Sequence, residues 1–252
     1  MPIPNEVMPD PGGERPLVRG VDGCPAGWIA VTIAATGPLT PCVTITRDFA
    51  ELTTGVEKIA VDMPIGLPER AGPGGRGPES LVRPLLGERQ SSVFSVPSRA
   101  AVFAADYGEA CRLALETSEP PRKVSKQAFF LFPKIREIDA LLRSDPALVA
   151  RVHEVHPEVA FWRLNGERSL PLPKKVSSRG HPPGLALRRG LLVAAGYDAA
   201  FLSKAPRGAG LDDLLDAAVN TLVARRLHDG TARSFPDPPG HDAHGLPVAI
   251  WA

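Results

Sequence analysis

The chain has 252 residues, 43% of them apolar and 23% charged, ordinary proportions for one soluble domain with a sizeable core. Its 29 basic side chains nearly balance 28 acidic ones, which excludes a broadly basic face that grips nucleic acid unaided but leaves a locally charged site open. Cys24, Cys42 and Cys111 lack metal-ligand spacing, so neither a disulfide framework nor a zinc site is expected.

No apolar run approaches the roughly 20 residues that span a bilayer. The proline-rich start, MPIPNEVMPDPGGERP, lacks the apolar stretch of a signal peptide. A cytoplasmic protein without membrane contact is expected, with a disordered tail over 1–16 and a single domain over 17–252. From Leu17 three β-branched runs, LVRGVDGC, GWIAVTIAA and PCVTITRDF, are separated by turns too short for anything but antiparallel neighbours. A helical or turn segment at FAELTTG precedes KIAVDMPIG, an apolar run that reads as a strand buried on both faces.

Residues 69–148 read as a helical insertion. Its first part, ERAGPGGRGPES, has the composition of a mobile loop. A short helix broken near Pro84 and Gly87 leads through the polar turn QSSVFSVPSR to helices over about Ala100–Thr117 and Ser125–Arg143, the second kinked at Pro133. RVHEVHPEVAF reads as a further strand stopped by Pro157, and Leu185–Ala195 as a helix after a polar loop. LDDLLDAAVNTLVARRLHDG is the clearest helix, ending on Gly230, and LPVAIWA is a short strand. Antiparallel strands followed by strands interleaved with helices predict an α/β mixed sheet flanked by helices.

The informative acids interrupt apolar segments, because an unpaired buried carboxylate is expensive. Asp22 interrupts the first strand, Asp62 the end of the fourth, Glu154 lies in HEVHPE, and Asp213 and Asp216 sit a turn apart on the last helix. Asp212, at that helix's start, reads as its N-cap. Carboxylates converging from separate elements repel one another unless cations hold them, and hard divalent ions such as Mg²⁺ or Mn²⁺ suit oxygen ligands. His153 and His156 find no third partner for zinc, and Cys24 has no base beside it to make it a nucleophile. The donor-rich turn holding Arg89, Ser91 and Ser92, ahead of a helix, suits a phosphate.

The ordered motifs VDGCPAGW, VDMPIGLP, LLGERQSSVFSVPSR, SKQAFFLFPKIREID, HEVHPEVAF, PKK and LDDLLDAAV resemble domain-of-unknown-function family 429, from about residue 17 to the end. That resemblance implies an RNase H-like mixed sheet, three antiparallel strands followed by parallel ones, and nuclease activity. It implies acids at Asp22, Asp62, and Asp213 or Asp216, with Glu154 or its rival Glu158 on the strand of HEVHPE. It also carries over Lys134 of the PKI motif and Arg89, Ser91 and Ser92. Pro78-Glu79 stands where the family often has Cys-Asp.

The resulting expectation is metal-dependent phosphodiester hydrolysis of DNA or RNA. Asp22, Asp62 and Asp216 would hold Mg²⁺ or Mn²⁺, with Asp213 or Glu154 completing the shell. Arg89, Ser91, Ser92, Lys134 and Lys175 would hold substrate. The alternatives are a non-catalytic nucleic-acid or nucleotide-binding module on the same fold, or a nucleotide phosphohydrolase.

Overall fold

A computed structural model describes residues 15–177 and 179–252, so the expected tail over 1–16 lies almost wholly outside the described residues. Strands β1 (Leu17–Cys24), β2 (Gly27–Ala34) and β3 (Cys42–Thr46) form the expected antiparallel meander. Strand β4 (Lys58–Val61) and β5 (Val152–Glu154) then add in parallel beside β1, for the order β3-β2-β1-β4-β5. This five-stranded mixed sheet flanked by helices is an RNase H-like arrangement.

Between β4 and β5 lie α1 (Pro78–Val82), a 3-10 segment over Arg83–Ser92, α2 (Arg99–Val102), α3 (Tyr107–Glu116), α4 (Lys126–Phe129), α5 (Phe132–Ser144) and α6 (Pro146–Val149). After β5 come α7 (Pro157–Leu164), a two-residue hairpin of β6 (Lys175–Val176) and β7 (Arg179–Gly180), α8 (Pro182–Ala194) and α9 (Leu211–His228). A hairpin of β8 (Ser234–His241) and β9 (Pro247–Trp251) closes the chain, with Trp251 bridging to Val155 beyond β5. Among the described residues no helix is long and apolar enough to cross a membrane.

Several expected boundaries shift for local reasons. The helix over 100–117 is two, because the Asp106 carboxylate accepts from Glu109 N–H at 2.9 Å and starts α3 afresh. Pro133 does not kink a long helix but lies in the first turn of α5, where its missing N–H costs nothing. Pro157 likewise opens α7, so the strand of HEVHPEVAF is only three residues long. Prolines in SFPDPPGH hide β8, which tolerates them as an irregular edge strand.

The glycine-rich loop, expected to be mobile, makes a buried structural contact. It buries Arg76, whose guanidinium donates to Glu154 (2.6 and 2.9 Å), Glu79 and the carbonyls of Ile65 and Gly66. At Gly75, φ is +121° and a Cβ would meet the Glu79 carboxylate at 2.9 Å.

The sheet is covered on both faces. Val21, Ile59 and Val61 pack with Phe132, Ile135 and Ile138 of α5, while Val18, Ile29, Val31 and Ala60 pack with α7, α8 and α9. The central contact is α9 on β1. A Cβ on Gly20 would lie 2.2 Å from the Ala217 carbonyl and 2.3 Å from Thr221 N, so only a bare Cα lets the helix backbone rest there. Buried Asn220 completes the seat by donating to the Val21 carbonyl at 3.0 Å.

Gly20→Ala is therefore expected to cost at least ~2 kcal/mol by overpacking, read as a lower urea midpoint at unchanged slope. Gly190→Ala, in α8 with nothing near its would-be Cβ, should instead be neutral or stabilising by up to ~1 kcal/mol.

Candidate functional site

Because β1, β4 and β5 are parallel, their carboxyl ends open on one edge of the sheet, where α/β sheets place ligands. Asp22 lies two residues before the end of β1 at Cys24, and Asp62 follows β4 directly, its N–H donating to the Val21 carbonyl at 3.0 Å. Asp22 lies two residues from Gly20 and so shares its face, the face on which α9 is seated. Helix α9 thereby brings Asp216, fully buried, to the same edge. The three aspartates come from three elements.

The cleft above them has a volume of about 400 Å³ and is lined by Asp22, Asp62, Arg89, His156, Glu158 and Lys174, with Ser91, Ser92 and Lys175 at its margin. Lys174 Nζ donates to Asp216 Oδ2, whereas Asp216 Oδ1 is buried without any partner. Arg89 Nε and His156 Nδ1 are likewise buried and partnerless. The site thus leaves one carboxylate oxygen and two nitrogens buried without partners, where buried polar groups are ordinarily paired.

The electrostatics follow from crowding. Burial, then the charges of Asp62 and Asp216, hold the Asp22 carboxyl well above the usual range. Burial pushes Asp62 and Asp216 to about 6 despite the opposing pull of Lys174. Burial works against the Lys174 ammonium too, but Asp216, Asp22 and Asp62 together outweigh it and keep the lysine charged. His156 is lowered by burial and stays neutral near pH 7.

Other expected site residues have structural partners. Glu154 is buried and spent on Arg76 and on the Ile65 N–H, outside the cleft but beside a small cavity it shares with Asp62 and His156. Its rival Glu158 does line the cleft, yet both of its oxygens accept from the fully buried Arg188, at 2.6 and 2.8 Å. Asp213, not Asp212, caps α9, accepting from the Gly210 N–H at 2.8 Å, because the helix begins one residue ahead of Asp212. Asp212 instead pairs with Lys175 at 2.5 Å.

Lys134 lies over the Trp28 ring at 4.3 Å and donates to the Gly27 carbonyl at 2.5 Å, within charge reach of Asp22 but outside the cleft lining. Arg89, Ser91, Ser92 and Lys175 all reach the cleft. Lys174 is the residue that sequence reasoning passed over, although PKK held the signal. Cys24 is buried and free, with its thiol raised by burial, as expected of an inert cysteine.

The donor chemistry suits a hard divalent ion, since the three aspartates offer only oxygens and one of these lacks a partner. As the side chains stand, no group of three or more His, Cys, Asp or Glu among the described residues encloses a metal position. The positive charge among the aspartates is that of Lys174.

The raised carboxyls fix the sign of a pH effect. Asp62 and Asp216 bind protons more tightly folded than unfolded, so between about pH 4 and 6 the folded chain holds the extra protons and stability falls as pH rises. Without divalent metal, Asp62→Asn should raise Tm at pH 7 by a few degrees and leave it unchanged at pH 4. An equal gain at both values would show that charge is not the cause.

No curated protein and no solved structure matches the chain. A family model, described as protein of unknown function (DUF429), matches residues 20–241, a span that runs from the Gly20 seat of α9 through every residue of the cleft to the end of β8. The chain belongs to that family.

Proposed function

We propose that the chain is a metal-dependent phosphodiester hydrolase acting on nucleic acid, with Mg²⁺ or Mn²⁺ held by Asp22, Asp62 and Asp216. The observation that carries the reading is the convergence of three aspartates from β1, the end of β4 and α9, one with an orphaned buried oxygen, at a cleft whose lining includes Arg89 and His156, each with a partnerless buried nitrogen. Such a bound cation would neutralise charge on the phosphate and lower the pKa of a coordinated water.

Each residue then has a task that its surroundings permit. Arg89 and Lys175 neutralise the phosphate, and Ser91 and Ser92 donate to its non-bridging oxygens. Asp213 keeps the first turn of α9 in place by capping it, which holds Asp216 beneath the cleft. Glu158, locked and neutralised by Arg188, gives the cleft a wall of fixed geometry without a free negative charge to repel the phosphate. In hydrolysis a water oxygen bonds to phosphorus, the bond to the leaving oxygen breaks, and that oxygen ends protonated.

A binding module without turnover is the second reading. The Lys174–Asp216 pair favours it, since that pair already neutralises one carboxylate.

Labelled single-stranded, duplex and branched DNA and RNA, each with Mg²⁺ or Mn²⁺, decide between the two. Cleavage by the parent is expected, falling at least ~100-fold in Asp22→Asn, as befits loss of charge stabilisation, and falling in Arg89→Ala chiefly through a higher KM. Binding of these substrates without cleavage would establish the module instead. Cleavage undiminished in Asp22→Asn would remove the aspartates from the chemistry.

A further inference from the structure

We propose that Lys174 is the resident counter-cation of the aspartate cluster and competes with a divalent metal ion for it, so that metal binding frees the Lys174–Lys175 hairpin from α9. The inference rests on the metal-binding reading above and adds a device that controls it.

Among the described residues Lys174 is the one cation whose charge acts on all three aspartates. Its ammonium sits on Asp216 Oδ2, and its charge acts on Asp22 and Asp62 as well. A second cation on the orphaned Asp216 Oδ1 would stand within a few ångströms of that ammonium. Two unit charges about 4 Å apart in a site of effective dielectric constant near 20 repel strongly, and a divalent ion doubles the effect. One occupant has to leave, and the lysine is the one on a movable stem.

The stem has one packed, backbone anchor and one ionic attachment. Pro173 and Lys174 lead into β6 and β7, whose residues are exposed on the surface. The outer anchor is α8: His181 N–H donates to the Lys174 carbonyl at 2.8 Å, His181 Nδ1 lies 3.1 Å from the Pro173 carbonyl, and Gly184 packs so close to that carbonyl that a Cβ would lie 1.8 Å from it. The inner attachment is ionic. Consecutive lysines meet acids one turn apart on α9, Lys174 on Asp216 and Lys175 on Asp212. The Lys174 side chain keeps 26% of its surface exposed, so its release opens toward solvent rather than into the core. Freed there, it lies at the rim of the cleft that Arg89 and Lys175 also line, where an incoming phosphate would meet it.

The test is Mn²⁺ titration, by calorimetry and by the paramagnetic signal of free Mn²⁺, of the parent, Lys174→Ala and Lys174→Gln. Hydrogen exchange over residues 173–181 of the parent, with and without Mn²⁺, runs in parallel. The expected result is at least tenfold tighter Mn²⁺ binding in both variants, abolished by adding Asp22→Asn, and faster exchange of the parent's hairpin with the metal. Lys174→Gln, which keeps the length and polarity of the side chain, covers the case in which Lys174→Ala folds poorly. Unchanged or weaker affinity in the variants, with the parent still binding Mn²⁺, overturns the competition and leaves the metal site standing. No binding by any of the three overturns the metal reading itself. Tight binding that survives Asp22→Asn places the ion elsewhere and overturns the competition.

Discussion

The approach of α9 to β1 at Gly20 is the constraint from which the site follows. A helix normally stands off a sheet by the depth of two layers of side chains, but here the helix backbone rests directly on a bare Cα. That closeness carries Asp216 in beside Asp22, and the parallel pairing of β1 with β4 supplies Asp62 alongside. Asn220 and the Tyr197–Thr221 hydroxyl pair tie the same stretch of α9 to β1 and to the segment after α8. The packing that stabilises the fold and the geometry that gathers the acids are therefore one contact.

Its consequence is a crowd of like charges in a low-dielectric place, which folding alone would disfavour. The molecule separates its buried acids by their partners. Glu154 has Arg76, Glu158 has Arg188, and Asp139 has Arg99, each held by at least two guanidinium hydrogen bonds. These pairs join distant parts of the chain and have fixed geometry. Among the described residues the cleft aspartates have only Lys174 as an ion-pair partner, a point charge on a flexible four-carbon side chain rather than a rigid guanidinium fork. The guanidinium pairs serve the structure, and the aspartates beside Lys174 are the acids that the proposed function uses.

This division explains how far the site was legible in advance. Asp22, Asp62 and Asp216 stood out because each interrupts a segment that otherwise reads as a buried strand or helix. Arg89, Ser91 and Ser92 stood out as a donor-rich turn, and the structure sets them on the cleft. Glu154 met the same criterion as the aspartates and yet is neutralised. Its partner, Arg76, lies 78 residues earlier in a loop whose glycines and prolines read as slack chain. Lys174 was equally hidden, since a pair of lysines in a polar loop looks like any solvated charge until α9 is brought beneath it.

What the amino-acid sequence determined by itself is what local physics determines. β-Branched runs and turn length set the β1–β3 meander, the apolar run of KIAV set a buried strand, and a long uninterrupted segment closed by Gly230 set α9. Boundaries went astray where a cap or a proline restarts a helix, as at Asp106, Pro133 and Pro157, and elements were missed where prolines or a polar loop disguise strands, as at β8 and the β6–β7 hairpin. The tertiary structure alone decided which charges meet. The decisive pairs are 78 residues apart for Arg76 and Glu154, 30 for Arg188 and Glu158, and 42 for Lys174 and Asp216. At such separations no pattern along the chain carries the information, because a charge's role depends on the burial and the partner it acquires when the layers close.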